Sequence, residues 1–186
     1  ALAAQAGAGV QVQTDLSTDV GTLSLESTGT GTVGFSTAVT VTAKTVLTLQ
    51  SGSSSSATDA LTLLAEAGIS ISESTTASGA LVMNADRDRS GTDGTLTVQT
   101  DKTVTATGDV TITAWDVNFA GSLVATGAMI VDPSQDSQTV GLGATPGNMQ
   151  ITNEELQGMS AAGFTLGGGS VTVNGVTALG SSLLSG

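Results

Sequence analysis

The sequence predicts an all-β fold in which short parallel strands stack in successive coils, as in a β-solenoid. Many short segments alternate aliphatic or β-branched residues with polar ones, which is the period of a strand with one buried face. Versions of one phrase, such as GTLSLES at Gly21 and GTLTVQT at Gly94, recur at intervals of roughly twenty residues. Asn-Gly and Asp-Gly turns, which antiparallel hairpins favour, occur only at Asn174 and Asp93. Together these observations favour a parallel β-helix over a sandwich.

The alternating segments predict a strand wherever an aliphatic pair flanks one polar residue. In the first half these segments are Val10–Val12, Leu23–Leu25, Val39–Val41, Val46–Leu49, Leu61–Leu64, Ile69–Ile71 and Leu81–Met83. In the second half they are Leu96–Val98, Val110–Ile112, Val117–Phe119, Met129–Val131, Val140–Leu142, Phe164–Leu166 and Val171–Val173. Few of the intervening residues have a helical pattern, so the fold class is all-β.

Composition limits both the core and the chemistry. The aromatic residues are three Phe, one Trp and no Tyr, so we expect a thin aliphatic core. The formal net charge of −12 lacks any basic stripe, which argues against a nucleic-acid partner. No run of eighteen apolar residues is present, so we expect no membrane insertion.

Catalysis is not expected. The chain has no His and no Cys, which removes the usual activating bases and thiolate ligands. Acidic pairs occur at Asp15 with Asp19 and at Asp132 with Asp136, as in β-helical polysaccharide lyases and hydrolases. The four cations lie in or beside predicted turns rather than opposite these acids. They are Lys44, Arg87, Arg89 and Lys102.

Two segments interrupt the alternation. The serine run Ser51–Ser56 is expected to form an exposed loop. The second interruption, Asp132–Gly163, contains both prolines. Within it, Thr152 followed by Glu155 matches a capping box, which predicts a short helix from Asn153 to about Met159, closed by Gly163.

A weak calcium candidate lies in the loop NADRDRSGTDG, which begins at Asn84. Its acids Asp86, Asp88 and Asp93 alternate with other residues as in calcium loops, because Ca²⁺ prefers several carboxylate oxygens on a bent backbone. Arg87 and Arg89 offset these charges, and no closing Glu follows. A solvated turn with local ion pairs is therefore the favoured interpretation, and no other cofactor is expected.

A possible contact surface combines Trp115 with Glu154 and Glu155 of the predicted insertion. The side chains of Trp115 and Phe119 have opposite parity to Val110 and Ile112 in a continuous strand, so we expect a bulge near Ala114. Two rings packed at a corner of the core are the simpler interpretation, and a sugar-stacking platform is the alternative.

Thr-X-Thr pairs occur, for instance, at Thr40, Thr95, Thr103 and Thr111, counted at the first residue of each pair. Such pairs are typical of ice-binding solenoids, but Thr is also a good residue for the solvated face of any strand. An ice-binding face would need these pairs to stack regularly over many successive coils, and the chain breaks register often. The ordinary strand interpretation is therefore favoured.

The stretch Gly79–Thr177 resembles a repeat unit of very large secreted proteins of the filamentous-haemagglutinin type, and similar units of giant surface proteins in microalgae. The resemblance rests on the order NAD, GTLTV, GDVTITA, DV, AG, QTVGLG, a short acidic helix and GFTLG. It implies a right-handed parallel β-helix in an elongated extracellular protein, with no catalytic residues to transfer.

We therefore expect residues 1–186 to be one β-helical repeat segment of a longer chain or polymer. The expected role is a structural module of an extracellular filament, stalk or surface fibre, with neighbouring copies or repeats joined end to end. An adhesin segment that binds a glycan or a host surface is the alternative.

Overall fold

The computed structural model describes residues 1–176. Residues 177–186, the end of the expected repeat segment 1–186, lie outside the described residues. About 53% of the chain is strand and 3% is helix. The first coils contain β1 (Leu2–Ala6), β2 (Gly9–Val12), β3 (Leu16–Ser17), β4 (Leu23–Ser27), β5 (Thr32–Phe35), β6 (Val39–Ala43), β7 (Leu47–Gln50), β8 (Ser55–Ala57) and β9 (Leu61–Ala65). The middle contains β10 (Ile69–Ile71), β11 (Thr75–Ala77), β12 (Leu81–Asn84), β13 (Thr95–Val98), β14 (Thr103–Ala106), β15 (Val110–Ala114), β16 (Asp116–Phe119), β17 (Ser122–Ala125) and β18 (Ala128–Pro133). The last part contains β19 (Thr139–Gly143), β20 (Met149–Ile151), α1 (Asn153–Gln157), β21 (Met159–Ser160), β22 (Gly163–Leu166) and β23 (Ser170–Asn174).

Three long parallel sheets contain most of these strands. Sheet A has the order β1-β4-β7-β10-β13-β16, and sheet B has β2-β5-β8-β11-β14-β17-β21. Sheet C has β3-β6-β9-β12-β15-β18-β22, and the small sheet D has β20-β19-β23. Each strand of sheets A to C therefore pairs with the strand three places along the chain, up to β18, and the chain visits the three sheets in turn. This confirms the all-β class and the stacking of parallel strands.

The core is a column of aliphatic side chains in register. In sheet A, Leu23 lies over Leu47, Leu47 over Ile69, and Ile69 over Leu96. All four side chains are buried, as are most inward residues of sheets B and C. Because each parallel ladder places like residues at like positions, aliphatic residues fill most of a narrow interior, and Phe35 and Phe119 add buried aromatic rings.

Every predicted strand segment lies in or overlaps a strand, but most of sheet B was missed. The serine run is a correction, because Ser55 begins β8 and its side chain is buried rather than exposed. The strands of sheet B contain Ser, Thr, Gly and Ala, so their weak apolar alternation gave little signal. Burial of Ser55 follows from its place in the inward row, between Val33 and Thr75.

The predicted helix is present, with Thr152 as its N-cap and both hydrogen bonds of the capping box. The helix is shorter than expected, since it ends at Gln157 with Gly158 as the C-cap rather than Gly163. The expected bulge near Ala114 is wrong: β15 ends at Ala114 and β16 begins at Asp116 in a different sheet. The change of parity marks a corner at Trp115, where the chain turns from sheet C to sheet A.

Candidate functional site

The aliphatic interior is open at the end of the stack formed by β1, β2 and β3. Here the inward side chains of Leu2, Ala4, Val10 and Leu16 are only partly buried, although the equivalent residues of the next coil are buried. A groove of about 360 Å³ lies between these side chains, with Leu25 at its base. This end of the molecule therefore exposes an apolar surface that the interior otherwise hides.

The other end, at β23, is open in the same way. Val171 and Val173 pair with Val140 and Leu142, so they continue the inward row of sheet D. Their exposed fractions are 43% and 59%, whereas Val140 is 1% exposed. Much of the inward face of β23 is thus exposed in the described part of the chain.

Both ends also have free strand edges. Within residues 1–176, the strands β1, β2 and β3 each pair with one neighbouring strand only, as do β21, β22 and β23. A parallel strand with one partner leaves alternate backbone N–H and C=O groups available for a further strand. Apolar side chains and free backbone groups therefore coincide at each end.

The predicted calcium loop is exposed at residues 87–90 and 92–93, as expected for a solvated turn, but its first acid is not. Asp86 is buried, and its carboxylate accepts hydrogen bonds from Ser134 Oγ at 2.5 Å and from the backbone N–H of Ser90 at 3.2 Å. Ser90 Oγ in turn donates to Asp93 at 2.6 Å. The loop is therefore fastened to the start of the insertion, 48 residues along the chain.

The acids of this loop do not converge. Asp86 points inward, while Asp88 and Asp93 are exposed on the outer side. Among residues 1–176, no group of three or more acidic side chains is arranged to hold a metal ion. Calcium binding by this loop stays a prediction without further support from its geometry.

The same corner holds a polar cleft of about 350 Å³. It is lined by Arg89, Thr113, Asp132, Pro133, Gln135, Asp136 and Gly168. Gln135 Nε2 donates to the carbonyl oxygen of Arg89 at 3.1 Å, and Arg89 Nη1 lies 3.6 Å from Asp136 Oδ1. The backbone of Arg89 is left-handed, with φ of 55°. Since this conformation is costly for a non-glycine residue, the hydrogen bonds of the loop must hold it in place.

Trp115 lies at the corner between β15 and β16. Its carbonyl oxygen accepts a hydrogen bond from Gln138 Nε2, and its side chain is half-buried. The insertion therefore begins by fastening itself to two earlier coils, through Asp86 and through Trp115.

The three residues of the predicted contact surface do not share one exposed patch. Glu154 is exposed, but Glu155 is only 8% exposed. Glu155 Oε1 accepts from the backbone N–H of Phe119 at 3.0 Å, and Oε2 accepts from that of Thr152 at 2.8 Å. Glu155 therefore serves the interior of the molecule, because its carboxylate satisfies two backbone amides.

A second carboxylate acts at the same place, where β20 contacts β16 without a backbone ladder. Asp116 Oδ1 accepts from the backbone N–H of Gln150 at 3.1 Å. Burial raises the pKa of Asp116 above its ordinary value, and hydrogen bonds from Gln150 and Val117 partly offset this effect. Two carboxylates thus replace ladder hydrogen bonds between sheet A and the last coil.

Both lysines form ion pairs between coils. Lys44 pairs with Glu66 at 2.5 Å, and Lys102 pairs with Glu73 at 2.9 Å. The carboxylate pairs expected from the sequence are separated in role: Asp15 accepts from the backbone N–H of Thr40, whereas Asp132 and Asp136 both line the polar cleft.

No family model matches this sequence, and comparisons with curated proteins and with solved structures gave no match either. The resemblance to filamentous-haemagglutinin-type repeats stays a prediction. The one helix in residues 1–176 lacks the length and apolar character needed to cross a membrane. The functional assignment therefore depends on geometry alone.

Sequence patterns missed the features that define these sites. The cleft joins residues 89 and 136, and no local motif links them. The inward direction of Asp86 was hidden because acidic loop residues are usually solvated. The open ends are a property of the stack. Whether Val173 is covered depends on the next layer of the stack and not on the residues beside it in the sequence.

Proposed function

We propose that the chain is a right-handed parallel β-helix that serves as a structural module of an extracellular filament, stalk or surface fibre. The visit of the chain to sheets A, B and C in turn supports this architecture. In such a solenoid each coil buries the apolar face of its neighbours, so that stability accumulates along the stack.

The observation that carries this proposal is the open interior at both ends. Leu2 and Ala4 at one end, and Val171 and Val173 at the other, belong to inward rows that are buried in the middle of the stack. A neighbouring copy, or the next repeat of a longer chain, covers these side chains and pairs with the free edges. The molecule is then one segment of an open, head-to-tail array.

The module acts mechanically. Hydrogen bonds between coils, such as Leu23 N–H to Val46 O and Leu47 N–H to Gly68 O, join successive layers of the stack. A pull along the stack therefore loads the bonds of all three sheets together. The net charge of −12 opposes non-specific lateral aggregation of such rods.

Electron microscopy and sedimentation velocity of the purified segment test the proposal. We expect fibres one molecule wide that grow with protein concentration. Leu2→Lys and Val173→Lys place a charge on the two apolar ends and are expected to abolish the fibres. Val82→Lys is the matched control, because Val82 lies on the outward face of β12 in the middle of the stack, between Thr62 and Thr111. A wild-type protein that stays monomeric at high concentration, or an equal effect of all three variants, contradicts end-to-end stacking.

A second candidate function is recognition of a glycan on an adhesin segment, and the polar cleft favours it. Asp132, Asp136 and Gln135 offer oxygen and amide groups that suit sugar hydroxyls, and Arg89 adds donors. Trp115 is the only tryptophan, so its fluorescence reports on this corner. Retention on a glycan array that disappears with Asp132→Asn, but not with Asp59→Asn, supports this function. An array without retention removes it.

A further inference from the structure

The outer face of sheet B forms a two-dimensional array of hydroxyl groups. The register places the outward residues of successive strands in three parallel columns. One outer column is Thr32, Ser54, Ser74, Thr103 and Ser122, and the other is Ser36, Thr58, Ser78, Thr107 and Thr126. The middle column is Gly34, Ser56, Thr76, Thr105 and Val124. We call these residues the hydroxyl array.

Backbone hydrogen bonds hold the columns in register. Thr58 N–H donates to Phe35 O, Ser78 N–H to Ala57 O, and Thr107 N–H to Ala77 O, so each residue lies one strand above the last. Adjacent parallel strands are about 4.8 Å apart, and outward residues on one strand are about 6.6 Å apart. Of the four Thr-X-Thr pairs, only the one at Thr103 lies on this face, and the others lie on sheets A and C. The pairs themselves therefore do not stack, and the columns combine Thr with Ser.

The array is free of charge although the molecule is strongly acidic. No strand of sheet B contains an Asp, Glu, Lys or Arg residue within residues 1–176. The nearby acids lie at the corners, as Asp59 and Asp109 do, and Glu73 is paired with Lys102. From β8 to β17 the outward side chains are also short, whereas at the β2 end the Gln11 side chain lies over Gly34.

These features together specify the chemistry of a partner. A Ser or Thr hydroxyl can both donate and accept hydrogen bonds. Thr58 and Thr126 donate theirs to backbone carbonyl oxygens, and Ser74 accepts from a backbone N–H, so these three keep part of that capacity. A face with two regular spacings and no charge suits a neutral surface that repeats in two dimensions and also donates and accepts hydrogen bonds at each point. A soluble anion, a nucleic acid or an anionic membrane offers neither neutrality nor that repeat.

We propose that the hydroxyl array is an ice-binding surface. Planes of hexagonal ice present neutral oxygen atoms in a regular lattice, each able to donate and to accept a hydrogen bond. The strands of sheet B hold their Thr and Ser residues on a hydrogen-bonded backbone. Little side-chain conformational entropy is therefore lost on contact. This activity is independent of end-to-end stacking, because the array lies on the side of the stack.

Thermal hysteresis and inhibition of ice recrystallisation test the proposal. The wild-type protein is expected to shape ice crystals and to slow their coarsening. The double variant Thr76→Lys, Thr105→Lys places two flexible cations in the middle column and is expected to abolish both effects. Its matched control is Thr62→Lys, Thr111→Lys, because these residues occupy outward positions of sheet C.

Circular dichroism and thermal melting of every variant separate loss of fold from loss of the surface. Thr76→Ser, Thr105→Ser keeps the hydroxyl groups and is expected to retain activity. Absence of both ice effects in the folded wild-type protein overturns the proposal, as does equal loss in the sheet C control. Cosedimentation with microcrystalline cellulose in the absence of any ice effect also overturns it, and assigns the array to a crystalline polysaccharide instead.

Discussion

Individual polar residues satisfy backbone groups at places where the regular pairing of strands is interrupted. Asp86, Asp116 and Glu155 each direct a carboxylate towards a backbone amide or a buried hydroxyl. Each replaces a ladder hydrogen bond or fastens a loop that the ladder does not reach. Exposed acids accept backbone hydrogen bonds as well, as Asp15 does from Thr40 and Asp109 from Ala128.

Asp116 gives a prediction for pH dependence. Its folded pKa is raised by burial, so the stability that it contributes is present in acid and is lost as pH rises through that folded pKa. Asp116→Asn keeps an oxygen acceptor for Gln150 without the charge. We expect this variant to become more stable relative to wild type between about pH 3 and about pH 7.

Urea unfolding at several pH values measures that difference, and Asp59→Asn at an exposed corner controls for the loss of one negative charge. A stability difference for Asp116→Asn that is constant with pH contradicts the assignment.

Ser55 gives a prediction for core stability. Its hydroxyl oxygen is buried without a hydrogen-bond partner among the described residues. Because an unsatisfied buried group is costly, Ser55→Ala is expected to raise the free energy of unfolding by about 1 kcal/mol. Ser56→Ala, on the exposed side of the same strand, is expected to change it by less than about 0.5 kcal/mol. Chemical denaturation of both variants checks the contrast, and a loss of stability in Ser55→Ala speaks against it.

At the scale of elements, the last coil contacts sheets A, B and C in different ways. Strand β21 pairs with β17 and β22 pairs with β18, whereas β20 meets β16 through the Asp116 side chain. Helix α1 sits between β20 and β21 and supplies Glu155 to the same junction. Glu155 of the capping box therefore has two roles. Its carboxylate caps the start of helix α1 and also accepts a hydrogen bond from the backbone N–H of Phe119 in sheet A.

Glu155→Ala tests the double role of this residue. The change leaves the backbone amides of Phe119 and Thr152 without an acceptor, so we expect a loss of about 2–3 kcal/mol in the free energy of unfolding. We also expect faster hydrogen exchange at the Phe119 amide. Glu154→Ala on the same helix is exposed and is expected to cost less than about 0.5 kcal/mol. Equal effects of the two changes would mean that Glu155 stabilises the helix alone.

At the scale of the whole molecule, the charge and the ends act in opposite directions. Each copy carries a net charge of −12, which repels a second copy, while both ends present apolar side chains. Salt screens the repulsion over about 8 Å at physiological ionic strength and leaves the apolar contact intact. Association of the ends is therefore governed by ionic strength.

We expect the average mass in sedimentation velocity to rise as NaCl is added at constant protein concentration. The double variant Leu2→Lys, Val173→Lys is expected to stay monomeric over the same range. A wild-type mass that falls with salt contradicts the proposed balance and points to association through ion pairs.

The strands that could be predicted from the sequence are those with strong alternation of aliphatic and polar residues. Leu23–Leu25, Val39–Val41 and Val110–Ile112 each placed two aliphatic residues on one face, and each is a strand. Thr152 with Glu155 likewise specified its own helix start, because the two hydrogen bonds are local. The segments Ser55–Ala57 and Thr75–Ala77 are strands only because neighbouring coils pair with them, so their own residues gave little indication.

The sequence by itself determined the all-β class, the recurrence of coils, the acidic surface and the short capped helix, because these depend on composition and on neighbours along the chain. The tertiary structure decided which residues meet across coils: Asp86 with Ser134, Glu155 with Phe119, and the three columns of the hydroxyl array. Register and corner positions produce these contacts. Both depend on how many residues each coil takes to turn, a length that varies along the chain and is fixed only when the coils stack.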